Sequence, residues 1–155
     1  MNKDILILVA VLAFMAAGAA GVIYMGSRGL RNNNPGNIRH SSSKWQGLSK
    51  EQTDREYVQF DNPVYGIRAL TKLLQNYQSR HGLKTIRQII NRYAPPSENI
   101  TDAYVANVSR LVGVNPDAEI NVGSYMTPLV KAIIQHENGE QPYSPEIISQ
   151  GISLA

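Results

Sequence analysis

The stretch NPVYGIRALTKLLQNYQSRHG, from Asn62 to Gly82, decides the fold class because it predicts a long amphipathic helix. Its apolar residues recur at the spacing of one helical face. They are Val64, Ile67, Leu70, Leu74 and Tyr77. Gly82 predicts the end of the helix, because glycine readily adopts the left-handed conformation that follows a last turn. The pattern therefore predicts a helix that packs one face against a core.

Shorter stretches downstream predict further helices. They lie in residues 84–96, 101–113, 124–139 and 144–151. Thr85 predicts the cap of the first, and Thr127 followed by Pro128 predicts the start of the third. EYVQF, residues 56–60, is the one segment that predicts a short strand. We therefore expect a mainly α protein, a small helical domain with at most a short β element.

The first 26 residues differ in composition from the rest of the chain. From Ile5 to Met25 the sequence ILILVAVLAFMAAGAAGVIYM has no charged residue, and an apolar run of about 20 residues is long enough for a helix to cross a bilayer. The AGA at residues 17–19 also fits a signal-peptide cleavage site, but the apolar run continues past it. We therefore predict an N-terminal transmembrane anchor over residues 1–26 and a second domain over residues 27–155.

The charge of the polar part is uneven. Residues 27–94 contain twelve Lys/Arg and four Asp/Glu, a net charge of +8, whereas residues 95–155 contain two Lys/Arg and seven Asp/Glu, a net charge of −5. A basic half can be an ordinary solvated surface. It can also face a polyanion such as nucleic acid, anionic lipid or the carboxylates of a cell wall. Charge alone does not choose among these.

The residue types limit the chemistry. The chain has no cysteine and only three scattered histidines, His40, His81 and His136. A thiol nucleophile is therefore excluded, and no histidine spacing indicates a zinc site. No glycine-rich turn between a strand and a helix indicates phosphate binding. We predict neither a metal nor a cofactor, and the candidate reactive groups are carboxylates.

Glu137 is the strongest of these carboxylates because it lies at the end of an apolar helix, within IIQHENGEQPY, residues 133–143. A helix ends in partial negative charge, and the apolar neighbours Ile133 and Ile134 would desolvate the group. Both effects disfavour ionisation and raise the pKa. A carboxyl group that stays protonated near neutrality suits a general acid for glycosidic-bond cleavage. The alternative is a surface glutamate paired with a Lys or Arg.

A polar, turn-rich segment, GSRGLRNNNPGNIRHSSSKWQG, follows the apolar run over residues 26–47. Its Pro-Gly dipeptide predicts a turn, and we expect an ordered loop that faces a site. Three asparagines in it offer amide donors and acceptors to a sugar, although asparagines also build turns. They are Asn33, Asn34 and Asn37. Trp45 can be a flat platform for a sugar ring or a partly buried structural residue.

Three motifs resemble those of lysozyme-like lytic transglycosylases and glucosaminidases. HENG after an apolar helix is similar to their motif in which a glutamate ends a helix and protonates the leaving oxygen. RNNNPGNIR with WQG is similar to a loop that lines the sugar cleft, and RYAPPSENITDAYVANV is similar to a late transglycosylase region. The glutamate helix comes first in those enzymes and near the C-terminus here, so the resemblance implies a circularly permuted domain.

Residues 28–151 also resemble a family of phage and prophage virion-associated lytic proteins, which begin RGxRNNNPGNIR and end HENGxxPY. The resemblance implies a lytic transglycosylase that cleaves the bond between MurNAc and GlcNAc in peptidoglycan, with Glu137 as the single acid and base. It also implies a substrate-binding role for Tyr93. Glu98, in a loop stiffened by two prolines, can contact the sugar or complement the next helix.

A hydrolase is the alternative reaction, and it would need a second carboxylate. The sequence offers Asp54, Glu56 and Glu98 for that role. A further alternative is a non-catalytic structural virion protein that binds peptidoglycan or organises a viral membrane. The expected partners are peptidoglycan strands, a lipid membrane through the N-terminal helix, and other virion proteins, but not nucleic acid. The expected location is a virion membrane or the host inner membrane, with the catalytic domain facing the peptidoglycan.

Overall fold

The computed structural model describes residues 26–97 and 100–155 of the chain, and these residues are mainly helical. The described helices are α1 (Arg28–Arg31), α2 (Pro63–His81), α3 (Ile86–Tyr93), α4 (Thr101–Val112), α5 (Met126–Asn138) and α6 (Pro145–Ser153). Isolated antiparallel bridges join Arg39 to Tyr57 and Leu48 to Phe60. The described residues contain no β-strand longer than these single bridges. The predicted helical class is therefore what the structure shows, and the predicted strand at residues 56–60 is reduced to two bridges.

Gly82 and Thr85 lie where the sequence predicts the end of α2 and the start of α3. The Asn62 side chain accepts a hydrogen bond from the Val64 N–H at 2.9 Å, and α2 ends at Gly82 with a left-handed φ of 64°. Thr85 and Gln88 form a capping box at the start of α3. These bonds satisfy backbone groups that a helix end would otherwise leave unpaired.

Two helices differ from the sequence prediction. The four-residue α1 lies in a segment expected to be a loop, and the Ser27 hydroxyl caps it by accepting from the Leu30 N–H. Helix α5 begins at Met126, one residue before its predicted cap at Thr127, and no side chain caps it. Pro128 still fits inside its first turn. Backbone N–H groups in the first turn of a helix have no intrahelical partner, so the N–H that proline lacks costs no helical hydrogen bond.

The helices pack around one core. Helix α2 packs against α5 and α6, α4 packs against α3 and α5, and α1 contacts α5. The large side chains that this packing buries completely come mostly from the predicted apolar faces. They include Ile67, Leu70, Leu74, Ile86, Ile90, Leu129, Ile133 and Ile134. Each contributes about 1.5–3 kcal/mol of transfer free energy when it leaves water.

The asparagine-rich loop lies directly against α2. A Cβ atom added at Gly66 would come within 2.1 Å of the carbonyl oxygen of Asn33. Only glycine therefore allows the helix backbone to approach the loop this closely. This contact holds the loop beside α2 and brings it near the end of α5.

The predicted fold included an N-terminal transmembrane helix, and this part is corrected. Within residues 26–97 and 100–155, no helix is long and apolar enough to cross a bilayer. The longest, α2, is amphipathic and carries Arg68, Lys72 and Arg80. The apolar stretch behind the prediction, residues 5–25, lies outside the described residues. The prediction of a membrane-spanning fold, and of the membrane-anchored location that depended on it, is therefore corrected: the described residues contain no such helix.

Candidate functional site

A groove of about 270 Å³ lies where the asparagine-rich loop meets α2, the end of α3 and the end of α5. Aromatic and polar side chains share its walls. The lining residues that carry such side chains are Asn37, Arg39, His40, Ser41, Ser43, Trp45, Tyr57, Tyr77, Tyr93 and Glu137. A concave site with apolar rings and a few polar groups is the usual form of a site for a small molecule or a sugar.

Glu137 lies in the last turn of α5, is half-buried, and lines this groove. Both of its carboxyl oxygens accept hydrogen bonds from other elements. The Tyr104 hydroxyl of α4 donates to Oε1 at 2.7 Å, and the Asn37 amide of the loop donates to Oε2 at 2.9 Å. Three parts of the chain that are distant in sequence therefore fix the position of one carboxyl group.

Burial raises the pKa of Glu137 above its ordinary value near 4.5, and the two hydrogen bonds oppose this rise. Desolvation is the larger effect because it penalises the charged form, whereas hydrogen-bond donors favour it. The protonated form is thus favoured relative to a carboxyl group in water. The same donors remain in place to stabilise the carboxylate once the proton has left.

Three rings form a cluster around Tyr104, the residue that donates to Glu137. Tyr104 stacks on His136, with ring centroids 3.6 Å apart and planes 16° apart. Tyr93 meets Tyr104 edge to face at 6.5 Å and donates a hydrogen bond to the carbonyl oxygen of Gly36 in the loop. Burial raises the pKa of both tyrosine hydroxyls well above 10 and lowers that of His136. The two tyrosine hydroxyls therefore stay protonated and act as donors at neutral pH.

Asn138 ties the end of α5 to the loop. Its amide donates to the carbonyl oxygens of Pro35 at 2.7 Å and Ile134 at 2.8 Å, and its carbonyl oxygen accepts from the Ser27 hydroxyl. Asn138 is the residue directly after Glu137. The hydrogen bonds of Asn138 therefore fix the position of the asparagine-rich loop relative to Glu137.

The structure brings four of the predicted site residues to the groove: Glu137, Asn37, Trp45 and Tyr93. Asn37 bonds to Glu137 itself. Trp45 is half-buried, and its indole nitrogen has no hydrogen-bond partner among the described residues. Glu98 lies outside the described residues.

Asn33 and Asn34 do not line the groove, because their side chains hold the loop together. The Asn33 amide donates to the carbonyl oxygen of Phe60 at 3.0 Å. Asn34 is fully buried, and its side chain makes three hydrogen bonds with the backbone of Ile38 and Val58. Both asparagines therefore shape the loop from which Asn37 reaches the groove.

Two of the three carboxylates considered for a hydrolase, Asp54 and Glu56, are not among the residues that line the groove. Asp54 and Glu56 both pair with Arg28, with N–O distances of 2.6 Å and 2.7 Å. Hydrogen bonding to Arg28 holds the pKa of Asp54 well below its usual range. Glu137 is the one carboxylate among the described residues that line the groove.

Tyr104, Tyr57 and Tyr77 were not among the predicted site residues. Tyr104 lies on the apolar face of α4, where the spacing predicts only a core position. The sequence signal that could have identified Tyr104 is its hydroxyl group, since a buried tyrosine needs a hydrogen-bond partner for that group. Tyr57 and Tyr77 line the groove from the loop and from α2, and nothing in their local sequence indicates this.

The comparison with known proteins places the chain in a phage protein family. Over 128 residues the chain is 38% identical to Protein P5 of Pseudoalteromonas phage PM2, which covers 81% of this chain and 79% of that protein. The chain belongs to the P5 family. No family model matches it. The predicted association with phages is therefore supported, and the name Protein P5 states no activity.

Glu137 predicts a specific pH dependence of stability in this P5-family chain. Because its folded-state pKa is raised, the folded state loses stability as pH rises from the unfolded pKa through the folded one. Glutamine cannot ionise. We therefore expect the free energy of unfolding of Glu137→Gln to increase relative to the unmodified chain between pH 4 and pH 8, as measured by urea denaturation.

Burial lowers the pKa of His136, but both chains carry this residue, so its direct contribution cancels in the difference. Glu51→Gln, at an exposed position, is the matched control and should show no such trend. A difference that stays constant with pH, or that falls, would mean that the protein does not disfavour the ionised form of Glu137.

Proposed function

We propose that this P5-family protein is a peptidoglycan-degrading enzyme of a phage or prophage, a lytic transglycosylase that cleaves the bond between MurNAc and GlcNAc. The observation that carries the proposal is Glu137, a half-buried carboxyl group with a raised pKa in the lining of a groove that also contains aromatic rings. The motif resemblance of its helix end to lytic transglycosylases supports the same role.

In the proposed reaction the protonated Glu137 carboxyl group gives its proton to the glycosidic oxygen as the bond to the sugar C1 breaks. The resulting carboxylate takes the proton of the 6-hydroxyl group of the same sugar, whose oxygen then bonds to C1. The product is a 1,6-anhydro sugar, and the enzyme returns to its protonated state. No second carboxylate is needed, which agrees with the lining of the described groove.

The two donors to Glu137 suit both halves of this cycle. Before proton transfer, burial favours the protonated form. After it, the Tyr104 hydroxyl and the Asn37 amide stabilise the new charge without moving. Donors that are already oriented when charge develops are an effective form of electrostatic stabilisation. Tyr57, Tyr77 and Trp45 would provide flat apolar surfaces for the sugar rings.

A second candidate is a non-catalytic structural protein of the phage particle that binds peptidoglycan. One observation favours it: protein groups already engage both carboxyl oxygens of Glu137, as they would at a purely structural junction between α4, α5 and the loop. Membership of the P5 family supports association with a phage more directly than it supports catalysis.

Digestion of purified sacculi by the full chain, followed by mass spectrometry of the soluble products, separates the candidates. We expect fragments that end in 1,6-anhydro-muramic acid. Reducing muramic acid ends would instead indicate a hydrolase. If no fragments are released but the chain sediments with the sacculi, the binding protein is correct, and if neither occurs, both proposals fail.

A further inference from the structure

We propose that Asn107 is a positioning residue of the site: it holds the imidazole of His136 neutral, with the ring proton on Nε2, and so keeps positive charge away from Glu137. This inference rests on the proposed function, because it explains how the site keeps a proton on the acid. Asn107 lies on α4 and is not among the residues that line the groove. It would therefore act through His136 and not on the sugar.

The His136 ring connects Asn107 to the residues around the acid. The ring stacks on Tyr104 with centroids 3.6 Å apart, and the Tyr104 hydroxyl donates to Glu137 Oε1 at 2.7 Å. The ring Nδ1 lies 3.0 Å from the side-chain nitrogen of Asn107. His136 also directly precedes Glu137 in α5. A charge on this ring would therefore be carried by the residue next to the acid.

Arg110 determines which end of the Asn107 amide faces the ring. Its Nη2 is 2.8 Å from the side-chain oxygen of Asn107. Arginine has only donors, so the atom that it bonds to must be the amide oxygen. The amide nitrogen then faces His136, and it is a donor as well. Nδ1 must therefore accept, which requires that it carries no proton and that the proton of the neutral ring lies on Nε2.

The stack on Tyr104 does not by itself select the neutral ring, because an aromatic face packs against another ring and also attracts a cation. Burial does disfavour the imidazolium and lowers the pKa of His136. Asn107 acts in the same direction, since a hydrogen bond donated to Nδ1 can form only with the neutral ring. The hydrogen bond from Asn107 is therefore the specific contact that selects both the charge and the tautomer.

The groups that meet the His136 ring come from α4. Helices α1, α2 and α6 also pack on α5, but among the described residues none of them gives this ring a hydrogen bond, an ion pair or a ring contact. The ionisable groups of the network are Tyr104 and Arg110 of α4 and Glu137 of α5. Tyr104 stays neutral, because burial raises its pKa well above 10. Arg110 is positive and disfavours a second cation, so of these three groups an ionised Glu137 alone would favour the imidazolium.

A neutral His136 preserves the effect of burial on Glu137. Burial favours the protonated carboxyl group, whereas an adjacent imidazolium would favour the carboxylate, as a nearby opposite charge does. With a charged ring beside it, the acid would lose its proton at a lower pH. By selecting the neutral ring, Asn107 therefore helps to keep the acid protonated.

The first measurement is the nitrogen NMR spectrum of the ring in the full chain, with the His136 signals assigned by their loss in His136→Gln. We expect the Nε2–H tautomer at neutral pH. Asn107→Leu removes the donor, so the midpoint of the His136 titration should rise by about one pH unit, the effect of one hydrogen bond. Asn107→Asp replaces the donor by an acceptor. Its neutral ring should change to the Nδ1–H tautomer, which a loss of packing would not produce.

The second measurement is the pH titration of the Glu137 carboxyl carbon by NMR, which requires no catalysis. We expect its midpoint in Asn107→Leu to lie at lower pH than in the unmodified chain, because more of the neighbouring ring is then charged. Ala106→Leu is the matched control, since Ala106 is the exposed neighbour of Asn107 on α4. Neither titration should move in that variant.

An Nδ1–H tautomer in the unmodified chain, or a His136 midpoint that does not rise in Asn107→Leu, would overturn the inference. So would a rise in the His136 midpoint that leaves the Glu137 titration unchanged, because Asn107 would then have no effect on the acid. Digestion of sacculi is scored separately. If the unmodified chain releases no fragments, the proposed function fails, whereas the two titrations still decide whether Asn107 controls the charge beside Glu137.

Discussion

Glu137→Gln is expected to lower the rate of glycan cleavage about 10³-fold at neutral pH, while the binding of sacculi changes less than about twofold. Glutamine has nearly the same shape but no proton to give to the leaving oxygen, and a positioned general acid contributes about 10²- to 10⁴-fold to a rate. The lost interaction exists only in the transition state, so the loss should fall on kcat and not on KM. Release of soluble fragments from labelled sacculi measures the rate, and cosedimentation measures binding.

Glu51→Gln removes an exposed carboxylate that is not among the residues lining the groove and should cleave at the unmodified rate. If Glu137→Gln releases fragments as fast as the unmodified chain does, Glu137 is not the acid. If binding falls together with the rate, Glu137 is a binding residue, and the second candidate function becomes the better one.

Tyr104→Phe distinguishes the chemical role of the hydroxyl group from the packing role of the ring. Phenylalanine keeps the stacking on His136 but removes the donor at 2.7 Å from Glu137 Oε1. Without that donor the ionised form is less favoured, so the pKa of Glu137 should rise further. We expect the high-pH limb of the rate profile to move to higher pH. An unchanged profile with only a lower melting temperature would assign Tyr104 a structural role alone.

The helices were predictable because their signals are local. Asn62 and Gly82 delimit α2, and Thr85 with Gln88 starts α3, by bonds that reach only a few residues along the chain. Helix α1 was missed because its signals are those of a turn: Ser27 before a Gly-containing segment fits either structure. Its stability comes from contact with α5, to which it is joined through Ser27 and Asn138.

The site was predictable in part for the same reason. The position of Glu137 at the end of an apolar helix is a local feature, and it indicated a raised pKa. Its partners are not local, since Asn37 and Tyr104 lie 100 and 33 residues away in sequence. Only the packing of α4 and of the loop on α5 brings them together. Nor did the sequence distinguish Asn37, which reaches the groove, from Asn33 and Asn34, which build the loop.

Asn34→Ala is expected to lower the free energy of unfolding by about 3–5 kcal/mol, because the substitution leaves the buried Ile38 N–H and Val58 carbonyl oxygen without partners and removes one of the two hydrogen bonds to the Ile38 carbonyl oxygen. The Asn34 amide donates to the carbonyl oxygens of Ile38 at 2.9 Å and Val58 at 2.8 Å, and its own carbonyl oxygen accepts from the Ile38 N–H at 2.9 Å. The side chain is fully buried, so water cannot readily replace these bonds. Urea denaturation of the purified chains measures the loss.

Two further substitutions show whether the buried donors are the cause. Asn34→Asp keeps the acceptor for Ile38 but loses both donors and would place negative charge beside two carbonyl oxygens, so it should be at least as destabilising as alanine. Asn115→Ala removes an exposed bond to the Asp117 N–H and should cost less than about 1 kcal/mol. If Asn34→Ala costs no more than Asn115→Ala, the loop is held mainly by Gly66 against α2 and by Asn138 on Pro35. The orientation of Asn37 toward Glu137 would then depend on those contacts.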